Sequence, residues 1–402
     1  MSYSPERLRA ATPALLDGIA YFDGPGGTQT PEPVIDAIAA AMRAGLSNRG
    51  SLAPSARRAD DITVAAREAC ADLLGADARG IVFGRSATEI TFQVARTLAA
   101  DWGPGDEVIV TDLDHDANVR PWVTYAERSG ATLRWARFDP ATGELPADAV
   151  TSLVNENTRL VAVTGASNVL GTRPDLQAIG STVRGAGALF YVDGVHATAH
   201  VPVNSSVADF WVCSPYKFLG PHIGVLAASP ALLETMAPDK LRPSTNIVPE
   251  RFELGTLPYE LLAGVVAAID VIADLVSGDE VLMSRRDRML RSMLAVEHFE
   301  NELVAYLRAG LEGLPGITLY GRAPMRTPTE FFTFAGHDSH ELSQRLAADG
   351  VFAPAGNFYA IEACDSLGLG AQGALRAGLA PYSTKGDVDR LLASLAEVLQ
   401  AS

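Results

Sequence analysis

The chain has 402 residues, of which 48% are hydrophobic and 20% are charged, a composition typical of a globular protein. Its 32 Lys and Arg against 48 Asp and Glu give a net charge of −16, which argues against nucleic acid or an anionic membrane as the partner. No apolar run approaches the ~20 residues of a transmembrane helix, and the N-terminus lacks the apolar core of a secretory signal.

Cysteine usage predicts a reduced compartment. Cys70, Cys213 and Cys364 form an odd set without a C-x-x-C pair, so we expect a cytoplasmic protein with no structural disulfide. No His/Cys cluster has zinc-ligand spacing, and no metal site is predicted.

The first elements are a short helix, a brief strand and a glycine-rich turn. The turn, Asp23 to Thr28, precedes a helix that has Pro31 and Pro33 near its start, where proline is tolerated. Two interpretations of this turn stay open. It is either a plain turn before a helix or a backbone segment lying against a ligand, because glycines let the main chain approach closely.

A second turn has the character of an anion site. The strand IVF is followed by Gly-Arg-Ser-Ala-Thr and then a helix. Unpaired N–H groups and the helix dipole both favour a phosphate there, which makes Ser86, Ala87 and Thr88 candidates. The alternative is a capping box with Ser86 as N-cap and Glu89 three residues on, and the two interpretations are compatible.

Polar residues then follow further predicted strands. His115 lies in the loop after the strand VIV, and Ser167-Asn168 follow the strand in TRLVAVT. A loop histidine is often only solvated, but at a strand end it can stack on an aromatic cofactor and act as an acid or base.

The stretch from 189 to 225 organises the chain. The apolar run LFYV ends in Asp193, and DFWVCS ends in a turn that carries Lys217. Such short apolar runs are typical of buried parallel strands, whose carboxyl ends collect functional groups in one crevice. A lysine that holds the cofactor and an aspartate that keeps its ring nitrogen protonated suit pyridoxal phosphate. In isolation the same two residues would be a strand-ending aspartate and a solvated lysine.

The C-terminal part predicts a small α+β domain. RFELGT carries Arg251 and Thr256, and helices, strands, a strand and turn with Arg376 and a final amphipathic helix follow. We expect a large domain over 15–275 and a small domain formed by 1–14 and 276–402. A dinucleotide-binding dehydrogenase is set aside, because GPGG before Thr28 does not fit G-x-G-x-x-G.

The motifs RSATE, DHDAN, SNVLG, VDGVH, SPYKFLGP, RFELGT and LRAGLAPYST occur in the order of a known family. With them the chain resembles fold-type I pyridoxal-phosphate enzymes of the class V aminotransferase family, nearest to the cysteine desulfurase/selenocysteine lyase branch. The resemblance covers nearly the whole chain. It implies an α/β fold with a mainly parallel, doubly wound sheet in the large domain and a small α+β domain.

The resemblance also implies residue roles. Lys217 would hold pyridoxal 5′-phosphate as a Schiff base, Asp193 would pair with the pyridine nitrogen, and His115 would stack on the ring. Asn168 would lie near the cofactor's 3-hydroxyl or the substrate, and His196 stands where desulfurases commonly have glutamine.

The phosphate would contact the turn of Ala87 and Thr88, Ser214, and Thr256 of a neighbouring subunit, which implies a homodimer with shared active sites. Tyr216 replaces a phosphate-contacting histidine, and Arg376 would clamp the α-carboxylate of a small amino-acid substrate.

One departure bears on the reaction. Desulfurases carry a nucleophilic cysteine on a mobile loop, where this chain has VFAPAGNFYAIEAC with Tyr359 at or near that position. This position makes Tyr359 a candidate substrate-binding residue. Tyrosine cannot accept sulfur as a persulfide, and Cys364 is expected to pack within the following helix. The favoured hypothesis is a desulfurase-like C–S or β-elimination lyase without a persulfide cysteine, with Lys217, His115 and Asp193 as catalytic residues. An aminotransferase or an epimerase is the alternative, and a non-catalytic scaffold is a remote one.

Overall fold

The fold, taken from a computed structural model, is described for residues 3–276 and 283–400. The strands in chain order are β1 (Ala20–Tyr21), β2 (Ile81–Gly84), β3 (Glu107–Thr111), β4 (Thr132–Ala136), β5 (Thr158–Thr164), β6 (Leu189–Asp193), β7 (Phe210–Cys213), β8 (Gly224–Ala228), β9 (Ile317–Tyr320), β10 (Thr329–Phe334), β11 (Val351–Phe352), β12 (Ala355–Gly356) and β13 (Ala374–Gly378).

The helices separate these strands along most of the chain. They are α1 (Glu6–Ala10), α2 (Glu32–Ala44), α3 (Pro54–Leu74), α4 (Ala87–Leu98), α5 (Arg120–Ser129), α6 (Ala147–Thr151), α7 (Leu176–Gly185), α8 (Ala197–His200), α9 (Pro230–Thr235), α10 (Tyr259–Ala273), α11 (Arg285–Glu312), α12 (Ser339–Ala348), α13 (Ile361–Ser366) and α14 (Lys385–Gln400). Within the described ranges, no helix is both long and apolar enough to cross a membrane.

The larger sheet has seven strands in the order β2-β8-β7-β6-β5-β3-β4. Strand β8 runs antiparallel to β2 and β7, and the pairs among β7, β6, β5, β3 and β4 are parallel. The predicted mainly parallel α/β sheet is confirmed. Because β5, β6 and β7 are parallel neighbours, the residues that follow them meet at one edge of the sheet.

Apolar side chains cover both faces of this sheet. On β3, Ile109 packs into one core, whereas Val108 and Val110 pack into the core on the opposite face. Side chains alternate across a strand, so a strand covered by helices on both sides must be apolar throughout. This is why the central strands read as continuous apolar runs.

The smaller sheet is antiparallel, with the order β12-β13-β10-β9. Its core contains Leu307 of α11, Phe332 of β10, Leu375 of β13 and Leu391 of α14. The predicted small α+β part is therefore present. Strand β1 pairs with β11, and Ala20 belongs to the same core. The division into 15–275 against 1–14 and 276–402 stays a prediction.

Candidate active site

A cavity of about 690 Å³ lies at the carboxyl ends of the parallel strands, facing β13 of the smaller sheet. It brings together nearly all the site residues predicted from the sequence, namely Ala87, Thr88, His115, Asn168, Asp193, His196, Ser214, Tyr216, Lys217, Tyr359 and Arg376. Thr256 is exposed and does not line the cavity. The Asp23–Thr28 turn does line it through Asp23, Pro25 and Gly26, which favours the ligand-proximal interpretation of that turn.

Lys217 reaches the cavity from a short 3₁₀ turn, Pro215–Lys217, that directly follows β7. Its Nζ donates to the Pro25 carbonyl and lies 4.8 Å from the centroid of the Tyr216 ring. Burial and the nearby Arg376 lower the pKa of Lys217 to about 7, although Asp23 and Asp193 oppose the shift. An amine with such a pKa is available as a base near neutral pH.

Asp193 ends β6, beside the strand that leads to Lys217. Its Oδ1 accepts a hydrogen bond of 2.8 Å from the Val195 N–H. Burial raises the pKa of Asp193 to about 6, against the opposing effects of that N–H and Lys217. A buried carboxylate without a full counter-charge is suited to a cationic ring nitrogen.

A second buried carboxyl group, Asp114, was not predicted from the sequence. It accepts hydrogen bonds from Thr111 and, at 2.7 Å, from Asn118. Burial, with Asp193 close by, raises the pKa of Asp114 to about 8. The acidic residue directly before His115 in DLDHDAN was the available signal.

The predicted anion turn opens α4. Ser86 is the N-cap, and its hydroxyl accepts the Glu89 N–H at 3.1 Å, so the predicted cap is confirmed. The Glu89 carboxylate reaches the N–H of Arg85 at 3.3 Å. A Cβ on Gly224 would lie 2.4 Å from the Ser86 carbonyl carbon, so only glycine lets β8 approach this turn. The amides of Ala87 and Thr88 belong to the first helical turn, which has no intrahelical acceptors.

His115 caps the 3₁₀ turn Asp116–Asn118, and its Nδ1 accepts the Ala117 N–H at 3.0 Å. Burial, together with the positive charges of Lys217 and Arg376, lowers the pKa of His115 to about 4. The ring is therefore neutral at pH 7. Its centroid lies 5.5 Å from that of Tyr359.

Asn168 and His196 contribute polar groups to the cavity wall. Asn168 Nδ2 donates to the Phe358 carbonyl at 3.0 Å, and His196 Nε2 lies 2.9 Å from the Thr327 hydroxyl and 3.2 Å from that of Thr329. Among the residues that the structure describes, Asn168 Oδ1 and His196 Nδ1 are buried and have no hydrogen-bond partner. Buried polar atoms without partners are uncommon and indicate room for a polar ligand.

Arg376, on β13, is only 2% exposed. Its guanidinium pairs with the Asp23 carboxylate and donates to the Asn168 carbonyl at 3.2 Å. The Phe358 ring centroid lies 3.7 Å from the guanidinium carbon. Neither the Asp23 pair nor the Phe358 contact was predicted from the sequence, because no local pattern links these residues.

Tyr359 stands at the cavity wall, 68% exposed. Cys364 lies in α13, as expected, and burial raises the pKa of its thiol to about 12. All three cysteines of the chain fall within the described ranges, and Cys70, Cys213 and Cys364 are each 0% exposed and do not line the cavity. The structure therefore presents a tyrosine, and no thiol, at this position of the cavity.

These groups fit pyridoxal phosphate. The cavity provides an amine for covalent attachment in Lys217, a carboxylate for the ring nitrogen in Asp193 and a flat ring for stacking in His115. The α4 turn provides a site for a phosphate, and the unpaired atoms of Asn168 and His196 can meet the ring's polar substituents.

Comparisons with known proteins agree with this site. The aminotransferase class V family profile matches residues 20–391. "Uncharacterized protein MT3887" of Mycobacterium tuberculosis (strain CDC 1551 / Oshkosh) is 36% identical over 99% of this chain and 100% of its own length. A cysteine desulfurase of Klebsiella pneumoniae is 32% identical over 99% of both chains. The solved structure of the Escherichia coli cysteine desulfurase CsdA, in an S-sulfonic acid form, is 30% identical, covers 100% of both chains and gives a TM-score of 0.86.

The chain belongs to the class V aminotransferase family and is a pyridoxal-phosphate-dependent enzyme of the cysteine desulfurase-like kind.

Proposed function

We propose that this enzyme is a C–S or β-elimination lyase that acts on cysteine or another β-substituted amino acid and forms no persulfide on a cysteine of its own. The observation that carries the proposal is that Tyr359 lines the cavity, whereas none of the chain's three cysteines does and Cys364 is buried in α13. A thiolate must reach the substrate sulfur to accept it. A buried thiol whose pKa is about 12 does not meet this requirement.

The site residues have separate tasks in this reaction. Pyridoxal phosphate, when bound, draws electrons from the substrate's α-carbon. Lys217 would hold the cofactor and later accept the α-proton at its Nζ, since its pKa of about 7 leaves much of the amine unprotonated at neutral pH. Asp193 would keep the ring nitrogen protonated, and Arg376 would orient the substrate through its carboxylate.

The bond changes then require no cysteine acceptor. The α-proton passes to Lys217, the Cβ–S bond breaks, and its electron pair leaves with the sulfur. With cysteine as the substrate, addition of water to the remaining fragment gives pyruvate and ammonia alongside hydrogen sulfide. Transfer of sulfur to a protein thiol would instead leave the electron pair on Cβ and give alanine.

We also propose a cytoplasmic homodimer. Two neighbouring segments, residues 45–53 and 236–258, form what we call the rim, and Arg49 joins them through a 3.2 Å ion pair with Glu250. The rim exposes Leu52 at 97% and Ile247 at 68%. Large apolar side chains that are exposed on adjacent segments of a surface are typical of a protein–protein interface. Thr256, exposed on the same rim, would contact the phosphate in the partner's cavity.

The test is product analysis of the enzyme loaded with cofactor and supplied with L-cysteine. We expect sulfide and pyruvate in equal amounts, without added reductant, and Cys364→Ser should retain the rate within about twofold because the thiol takes no part. Lys217→Ala should lose both the products and the visible absorbance of the bound cofactor. Alanine as the product, or exchange of amino groups with added keto acids, would contradict the lyase proposal.

A further inference from the structure

We propose that Asp23 is an internal counter-ion that occupies the carboxylate-binding edge of Arg376 in the substrate-free enzyme, so that a substrate carboxylate enters by displacing it. The inference rests on the proposed function, since it takes Arg376 as the residue that binds the substrate carboxylate. It assigns to Asp23 a positioning role that controls substrate affinity.

The surroundings of Arg376 leave little room for a second carboxylate. Nη2 is paired with Asp23 Oδ1, and Nη1 donates to the Asn168 carbonyl at 3.2 Å. The Phe358 ring covers one face of the guanidinium, with its centroid 3.7 Å away. Nε is buried and has no partner within the described part of the chain. Each pair of parallel N–H groups on a guanidinium includes Nη2, so a carboxylate that binds through two of them has to compete with Asp23 for this nitrogen.

Charge also favours exchange over sharing. Burial lowers the pKa of Arg376, whereas the negative charge of Asp23 opposes this shift because it stabilises the charged guanidinium. A buried arginine without a counter-ion is costly, so Asp23 stabilises the empty site. A substrate carboxylate beside Asp23 would place two like charges on one cation, which disfavours a complex that retains both.

Asp23 is placed so that its side chain can leave without a change in the fold. Its main chain is fixed, because the N–H groups of Gly26 and Gly27 donate to its carbonyl at 2.8 and 3.0 Å. Its side chain is 26% exposed, whereas that of Arg376 is 3% exposed. A Cβ on Gly26 would lie 2.0 Å from the Asp23 carboxylate. Glycine at position 26 therefore provides the space that the paired carboxylate occupies.

The test measures carboxylate binding by the enzyme loaded with cofactor. Propionate is the probe, since it has a carboxylate and no amine, and propylamine is the matched probe without a carboxylate. Asp23→Asn should melt at a lower temperature than wild type, because Arg376 loses its counter-ion. It should bind propionate about tenfold more tightly, because no internal carboxylate competes. The affinity of Asp23→Asn for propylamine should not show this tenfold increase over wild type.

Two further variants sharpen the result. Gly26→Ala, which crowds Asp23 off the guanidinium, should also tighten propionate binding, and it keeps the proposal testable if Asp23→Asn does not fold. The control is Asp387→Asn, which breaks the 2.8 Å ion pair with Arg9 that ties α14 to α1. This variant should lose stability and keep the wild-type affinity for propionate.

Equal or weaker propionate binding by Asp23→Asn would overturn the inference, since Asp23 would then support Arg376 in both states. The absorbance of the bound cofactor, recorded in the same samples, distinguishes failure of the role of Asp23 from failure of the proposed function. If the absorbance depends on Lys217 but Asp23→Asn binds propionate with the wild-type affinity, the proposed function stands and only the role of Asp23 is contradicted. If the wild-type protein lacks this absorbance, both the proposed function and the role of Asp23 are contradicted.

Discussion

Asp193 shows how burial sets the chemistry of a single residue. Asp193 is buried, at 7% exposed, and its Oδ1 accepts a hydrogen bond of 2.8 Å from the backbone N–H of Val195. Lys217 lies near enough to affect its pKa. Without the cofactor, this arrangement makes the ionised form expensive. A cationic ring nitrogen would supply the missing counter-charge, so the site is less stable empty than filled.

Asp193→Asn should therefore stabilise the cofactor-free protein in a pH-dependent way. The pKa of Asp193 is raised from 3.8 to about 6. The folded wild-type protein therefore loses stability as the pH rises from 3.8 to 6, and above pH 6 it bears the full cost of the buried charge. Asparagine avoids the charge, and we expect a gain of about 3 kcal/mol in the free energy of unfolding at pH 7 that disappears near pH 4. Urea unfolding at the two pH values measures it.

The same variant should bind pyridoxal phosphate more weakly, by about tenfold or more, because an amide cannot pair with a charged ring nitrogen. The control is Asp36→Asn on the exposed side of α2, which should change neither quantity. A stability gain at pH 4 as large as that at pH 7 would show that ionisation of Asp193 is not the cause.

At the scale of elements, the segment between β12 and α13 forms a wall of the cavity. The Asp116 N–H donates to the Tyr359 carbonyl at 2.7 Å, and Arg120 pairs with Glu362 at 3.1 Å. Phe358 and Tyr359 have φ angles of +51° and +60°, a conformation that non-glycine residues adopt at a cost. Backbone strain of this kind persists only where surrounding contacts impose it. Here those contacts come from Asp116 and Arg120, which both line the cavity.

The strain can be measured with a pair of variants. Tyr359→Gly and Tyr359→Ala both remove the ring and its contact with His115, but only glycine relieves the positive φ angle. We expect the glycine variant to be more stable than the alanine variant by about 1 kcal/mol in denaturant unfolding. Equal stabilities would mean that the backbone at Tyr359 is not strained.

At the scale of the molecule, the cavity forms where the two sheets meet. The larger sheet contributes Asp193 and Lys217 at its strand ends, and the smaller sheet contributes Arg376 from β13. In the proposed homodimer, a second chain contributes Thr256. The active site then depends on both subunits, and dissociation of the dimer would remove Thr256 from it.

Charging the rim should therefore disrupt the dimer and the cofactor site together. In a Leu52→Lys, Ile247→Lys double variant, lysines would replace apolar side chains that are 97% and 68% exposed in the single chain. We expect monomers in analytical ultracentrifugation and weaker binding of pyridoxal phosphate. Leu294→Lys, at a 58% exposed position on α11, is the matched control and should remain dimeric. A wild-type protein that sediments as a monomer would contradict the homodimer itself.

Local patterns carried much of the prediction. The apolar runs that end in Asp193 and before Lys217 are β6 and β7, Ser86 caps α4, and Cys364 packs in α13. Each of these follows from a few adjacent residues, because buried parallel strands must be apolar on both faces and a helix start needs an acceptor for its free N–H groups. The order of the motifs, which nearly spans the chain, then identified the family and its cofactor.

The sequence by itself determined which side chains end the strands and which cofactor they suit. The tertiary structure alone decided how those side chains are paired and how strongly burial perturbs them. Asp23 meets Arg376 across 353 residues of chain, and Asp114 becomes a fully buried neighbour of Asp193. The physical reason is that ion pairing and desolvation depend on distance in space, and the packing of two sheets brings together residues that no local pattern connects.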